Sequence, residues 1–155
     1  MTALSKEILT PMRGGESTGL PSLVEHQVAA STKIYAGSIV VRDAIGYFAP
    51  ATGALGLYAE GRAERTADNS AGSTSSGVLC LVRRGTFRYG NSGSITVADV
   101  GGLCYMLDDN NVSRTDVGGT LSPAGVIEDV DSSGVWVTLG KASLLNKAGS
   151  GGPTG

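Results

Sequence analysis

The stretch Gly134-Val135-Trp136-Val137-Thr138-Leu139 alternates large apolar side chains with Trp and Thr. In an extended strand, successive side chains point to opposite faces, so Val135, Val137 and Leu139 share one face and Trp136 and Thr138 the other. Trp136 is then either part of a second core face or an anchor at a subunit interface. Working outward, the same kind of run recurs: four to seven residues rich in Val, Ile, Leu, Tyr and Thr, closed by Gly, Asn, Asp or Ser. The runs are Lys33 to Tyr35, Ser38 to Arg42, Tyr47 to Ala49, Leu55 to Ala63, Gly77 to Arg84, Thr86 to Tyr89, Ser94 to Val97, Leu103 to Leu107, Val112 to Thr115, Ala124 to Val130 and Gly134 to Leu139. Between residues 33 and 140 no helical apolar period survives ten residues without a glycine, and a glycine inside a helix costs about 1 kcal/mol. The pattern predicts an all-β fold, a small Gly-rich β-barrel or β-tulip-like domain. Gly85 interrupts what would otherwise be one strand from Val78 to Tyr89, the mark of a bulge or a sharp bend at a barrel corner.

The ends read differently. Residues 1–32 hold Pro11, Gly14, Gly15, Gly19 and Pro21 without a sustained period, which predicts an extended N-terminal arm. Within it Ser22-x-x-Glu25 matches a helix capping box, but an extended segment from Val24 to Ala30 leading into the first barrel strand is the favoured reading. Residues 33–140 form the barrel domain. Residues 141–155 form a C-terminal tail that ends in Gly, Ser, Pro and Thr alone and is expected to be flexible.

A chain of 155 residues suffices for one domain and a sizeable core. Lys and Arg number 12 against 14 Asp and Glu, a net charge of −2, and only 17% of residues are charged. So weak a basic character argues against nucleic-acid binding, which needs clustered cations to displace counterions from phosphates. No apolar run reaches the ~20 residues of a membrane span, nor does the N-terminus read as a secretion signal, so a soluble protein that is not exported is expected. Charge is uneven along the chain: residues 33–89 carry 7 basic and 4 acidic groups, and residues 90–140 carry 1 and 7. Arg83, Arg84 and Arg88 are therefore expected to face the acidic turns Asp108-Asp109 and Asp129-Val130-Asp131. They do so either as solvated pairs within one barrel or as contacts that set register between subunits.

Catalytic chemistry is hard to assemble from these residues. The one histidine, His26, is the single base candidate for activating a nucleophile, and it lies in the presumed arm, far in sequence from both cysteines; no Gly-x-Ser-x-Gly elbow occurs. Gly72-Ser-Thr-Ser-Ser-Gly77 has the outer glycines of a phosphate loop, but Val78-Leu79 stands where the Lys and hydroxyl residue would be. Asp108-Asp109-Asn110-Asn111 opens like a calcium loop without its Gly or closing Glu and reads more simply as a four-residue hairpin turn. Cys80 and Cys104 lack metal-binding spacing, and free buried thiols are favoured over a disulfide. No catalytic residue, cofactor or metal is expected, and the protein is read as structural, not an enzyme.

Several fragments in order resemble one family. They are Met1-Thr2-Ala3-Leu4 with Thr10-Pro11; Lys33-Ile34-Tyr35-Ala36-Gly37; Asp68-Asn69-Ser70-Ala71-Gly72; Arg83-Arg84-Gly85 with Phe87-Arg88; Cys104-Tyr105 with Asp108-Asp109; Ala124-Gly125-Val126; and Asp129-Val130-Asp131 with Gly134-Val135-Trp136-Val137. Across residues 1–140 the chain resembles the small decoration, or cement, proteins of tailed-bacteriophage capsids. The resemblance implies a domain that binds the outer surface of the phage head, commonly as a homotrimer, and stabilises contacts between capsomers of the major capsid protein. It implies that an N-terminal arm pairs with capsid strands, which carries over here to residues 4–12, with Leu4, Ile8, Leu9 and Met12; Arg13 stands where the family usually has a basic pair. Arg83, Arg84, Arg88 and Trp136 are the expected subunit-interface residues. The expected location is the virion surface, after synthesis in the host cytoplasm, with neither nucleic acid nor membrane as partner. The alternative is a head-fibre or adhesin-like β domain that binds a host-surface glycan; it would be sparse on heads and leave shell stability unchanged.

Overall fold

A computed structural model of the chain describes residues 2–11, 23–75 and 77–140. The strands are β1 (Leu23–Gln27), β2 (Thr32–Ile34), β3 (Ile39–Arg42), β4 (Phe48–Pro50), β5 (Ala59–Ala63), β6 (Ala67–Asn69), β7 (Leu79–Arg83), β8 (Thr86–Asn91), β9 (Leu103–Met106), β10 (Asn111–Ser113), β11 (Pro123–Asp131) and β12 (Gly134–Leu139). Five of them close a barrel in the order β10-β8-β12-β11-β9, and five form a sheet in the order β1-β7-β5-β3-β4. β2 and β6 pair as a separate ribbon. The all-β barrel expected from the short apolar runs is therefore present, joined to a second sheet. The two edges of that sheet meet at a single bridge, Val28 against Phe48.

β3 explains how the two parts share one body. Ile39, Val40 and Val41 are all buried. Ile39 and Val41 pack into the barrel core with Phe87, Met106, Ile127, Val135, Val137 and Leu139. Val40 faces the other way, into a second core with Val28, Ile34, Phe48, Cys80 and Val82. A strand apolar on both faces stays put only with a core on each side.

The chain crosses from β7 in the sheet to β8 in the barrel at Arg84-Gly85, and Gly85 has φ +153°. The bend foreseen at Gly85 is thus the step between two sheets. β9 and β10 are joined by four residues, 107–110, as the acidic turn predicted. Ser132-Ser133 closes the β11–β12 hairpin, where one Asp131 oxygen accepts from the amides of Ser133 (2.7 Å) and Gly134 (3.1 Å).

Other expectations need correction. The segment from Leu23 is a sheet strand paired with β7, so the helix reading at Glu25 fails and the extended one holds. With β1 in the sheet and Thr32 in β2, the arm assigned to residues 1–32 reduces, among the described residues, to 2–11. The run Ser94 to Val97 is not a strand: Val97–Asp99 is one 3-10 turn capped by Thr96 and Asp99. Leu55 lies outside β5 and is largely exposed, because the Gly53 and Gly56 turns come first. Cys80 and Cys104, by contrast, are free and buried as expected, one in each core; burial pushes both thiols up to about 12.

Trp136 lies on the outer face of the barrel, yet only 8% of it is exposed. Its Nε1 donates to Asp131 Oδ2 at 2.9 Å, and the Arg88 guanidinium sits 5.7 Å from its ring centre. Trp136→Ala should cost about 3 kcal/mol, read from chemical denaturation. Tyr89 is buried inside the barrel with a hydroxyl that has no hydrogen-bond partner among the described residues. Tyr89→Phe should therefore leave stability unchanged or raise it by up to about 1 kcal/mol; a loss in the same assay would mean the hydroxyl is satisfied.

Candidate functional site

Sheet register puts β5 beside β7 with Arg62 directly opposite Arg83. Two like charges in that position repel, and Glu64 resolves the conflict. Its carboxylate accepts from Arg62 Nε at 3.1 Å and is also held by Arg62 Nη2 and Arg83 Nε. Burial pushes the Glu64 carboxyl up, but the hydrogen bonds and charges of Arg83 and Arg62 outweigh it and hold it below the usual range. A second carboxylate, Glu60, is 2% exposed and is clamped by Arg42 Nε at 2.7 Å and Arg84 Nη2 at 3.1 Å. The expectation that Arg83 and Arg84 face the acidic turns is thus corrected. Their partners are Glu64 and Glu60, in and just after the neighbouring strand β5, which a tally of charge along the chain cannot pair. Arg88 does act on the predicted turn: hydrogen bonds from Trp136 and Ser133 hold the Asp131 carboxyl below its usual range, and the Arg88 charge adds a smaller pull in the same direction.

Residues 2–11 run as an extended strap over the seam between the sheet and the barrel. Asn111 Nδ2, at the start of β10, donates to the Thr2 carbonyl at 3.0 Å. The Leu4 amide donates to Asp109 Oδ1 at 2.9 Å, and the other Asp109 oxygen accepts from Ser38 Oγ at 3.0 Å. Burial pushes the Asp109 carboxyl above its usual range, against the pull of these two bonds. The Ile8 amide donates to the Ala36 carbonyl at 2.9 Å. Thr10 is buried; its hydroxyl donates to the Gly37 carbonyl at 2.7 Å, and Arg62 Nη1 donates to the Thr10 carbonyl at 2.7 Å. Finally the Arg88 amide donates to the Pro11 carbonyl at 2.9 Å. Arg62 is the node of the arrangement, since it also stacks on Phe87 of the barrel at 4.5 Å.

Gly37 makes the close approach possible. It has φ +96°, and a Cβ there would lie 2.5 Å from both the Ile8 carbonyl oxygen and Thr10 Oγ1. Beside the strap a cleft of ≈ 390 Å³ opens, lined by Glu7, Leu9, Gly37, Arg62, Glu64 and Arg65 among others. Leu9 points away from the body and is 90% exposed.

Of the residues expected to bind a capsid, Leu4, Ile8 and Leu9 therefore lie on the strap, the first two turned toward this chain's own body and the third toward solvent. Met12 and Arg13 lie outside the described residues. Reading along the sequence missed Gly37, Arg62, Glu64 and Asp109 as the strap's seat; only the glycine inside the run Lys33-Ile34-Tyr35-Ala36-Gly37 hinted at it. Among the described residues no group of three or more His, Cys, Asp or Glu side chains is placed to hold a metal. No protein-family model, curated protein or solved structure matches the chain.

Two outcomes follow from this geometry. Because the Glu64 pKa is lowered on folding, its contribution is present above about pH 4.3 and lost as pH falls through the lower folded value. Glu64→Gln should cost about 2 kcal/mol at pH 7, between the values for exposed and buried pairs, and the gap from the parent should shrink below about pH 4. Gly37→Ala should lift the strap while the barrel stays folded: trypsin cleavage after Lys6 should accelerate by about tenfold or more with the near-ultraviolet circular dichroism unchanged.

Proposed function

We propose that the chain is a structural protein, not an enzyme: a capsid decoration protein that binds the outside of a phage head and stabilises contacts between capsomers of the major capsid protein. The carrying observation is the strap. One side of it is spent on the body, while Leu9 stands 90% exposed and its amide and carbonyl have no partner among the described residues. An extended backbone with an open edge and an apolar side chain can add to a neighbouring strand, gaining affinity from main-chain hydrogen bonds without special chemistry. Repeating a weak contact of this kind through a homotrimer would turn it into firm attachment. The scarcity of charge, 17% of residues, suits a surface that is covered in the assembly.

The body is built to carry such a load. Arg42, Arg62, Arg83 and Arg84 are committed to carboxylates within the chain, and the strap is tied to both sheets, so a pull on residues 2–11 is shared between two cores. The test uses heads stripped of this protein. The wild-type chain should rebind at stoichiometric copy number and raise the shell's melting temperature. Leu9→Asp, an exposed change expected to move the protein's own stability by no more than about 0.5 kcal/mol, should weaken rebinding by about tenfold or more, equivalent to at least ~1.4 kcal/mol. Unaltered binding by Leu9→Asp, or no binding by the wild type, would overturn the reading.

A further inference from the structure

The strap and its seat are joined as separate pieces are. Of residues 2–11 only Thr10 is buried, and Leu4, Ile8 and Pro11 are half-covered. The junction is otherwise made of hydrogen bonds to main-chain groups and polar side chains: Ala36 O, Gly37 O, the Arg88 amide, Arg62, Thr66, Asp109 and Asn111. A seat of this kind recognises the segment by its path and by Thr10, and any copy of residues 2–11 satisfies it equally.

The chain between the strap and the body is longer than the closed arrangement needs. Pro11 is bonded to Arg88, and Leu23 lies opposite Arg83. The five-residue step from Arg83 to Arg88 covers at most ~17 Å, and the two pairings add about 5 Å each, so the ends lie within roughly 27 Å. Residues 12–22, which include Gly14, Gly15 and Gly19, can reach about 40 Å. The surplus lets residues 2–11 reach the seat of an adjacent copy, and seats held side by side compete for a segment tethered at this range at comparable effective concentrations.

We propose that residues 2–11 are exchanged between copies of this chain, so that in the self-associated protein the seat formed by Gly37, Arg62 and Asp109 holds a neighbour's strap. Exchange of an identical segment creates an interface without any new contact chemistry. It also leaves Leu9 on the outside of the joint. The inference goes beyond the decoration reading and does not depend on it: it concerns which molecule supplies the strap, whatever the assembly then binds.

Glu7 and Thr66 mark the two sides of the junction, where Thr66 Oγ1 donates to Glu7 Oε2 at 2.7 Å. Neither is buried, and the native Cys80 and Cys104 are buried and free. Full-length chains carrying Glu7→Cys alone and Thr66→Cys alone, with different tags, are co-expressed and treated with a short bis-maleimide; the double variant is treated in parallel. Melting curves matching the parent establish that each variant is folded. Exchange gives a covalent dimer containing one chain of each kind, absent when either single variant is treated alone. A within-chain product in the double variant together with no mixed dimer would overturn the proposal, including the case in which the protein stays monomeric. Neither result bears on head binding, which is measured separately.

Discussion

Everything else in this molecule depends on β3 being apolar on both faces. With Ile39 and Val41 in the barrel core and Val40 in the sheet core, neither half can be peeled away without opening buried residues of that strand to water. Each buried aliphatic side chain of this size is worth about 1.5–3 kcal/mol, and here the gain is split between two cores that individually are small. The five-stranded sheet, whose edges meet at one bridge, has little to stand on alone; the barrel supplies its floor.

That shared wall leaves a seam on the surface, and the polar network is concentrated there. Arg62 reaches Glu64, the Thr10 carbonyl and the face of Phe87, and so touches the sheet, the strap and the barrel at once. Buried ion pairs are weak sources of net stability, so the value of this network is positional: it fixes where the strap lies and prevents Arg62 and Arg83 from repelling one another. Asp109 does the same at the other end, taking up the burial cost of a carboxylate in order to hold the Leu4 amide and Ser38. The strap is thus placed by charge and backbone geometry and only slightly by apolar contact, which is why it is the part of the body best suited to changing partners.

How far the sequence could be read follows from which forces are local. Alternation in Val135, Val137 and Leu139 is a local signal, and these residues do line the barrel. Turn chemistry at Asp108-Asp109 and Asp131 is local too, and both turns are where expected. Gly85 was legible as a bend, but whether it bends within one sheet or steps between two depends on contacts far along the chain. The same limit hid the ion pairs: Arg83 is close in sequence to Arg84 and Arg88 yet finds Glu64, because antiparallel register decides partners. β6 was missed because Ala67–Asn69 is too short and too polar to show a period; it forms because β2 offers it a ladder and Asn69 holds the following loop through the Thr74 carbonyl. The strap was read as an outward arm, since nothing in residues 2–11 announces the seat that Gly37 leaves open.

The central claim is that this two-core body reinforces a shell from outside. A cryo-electron microscopy reconstruction of intact heads tests it most directly. The account predicts density fitting the barrel and its attached sheet on the outer surface, repeated at equivalent joints between capsomers, with the strap side facing the shell. Heads whose outer surface carries no such density, or density confined to a single site such as the tail vertex, would contradict it.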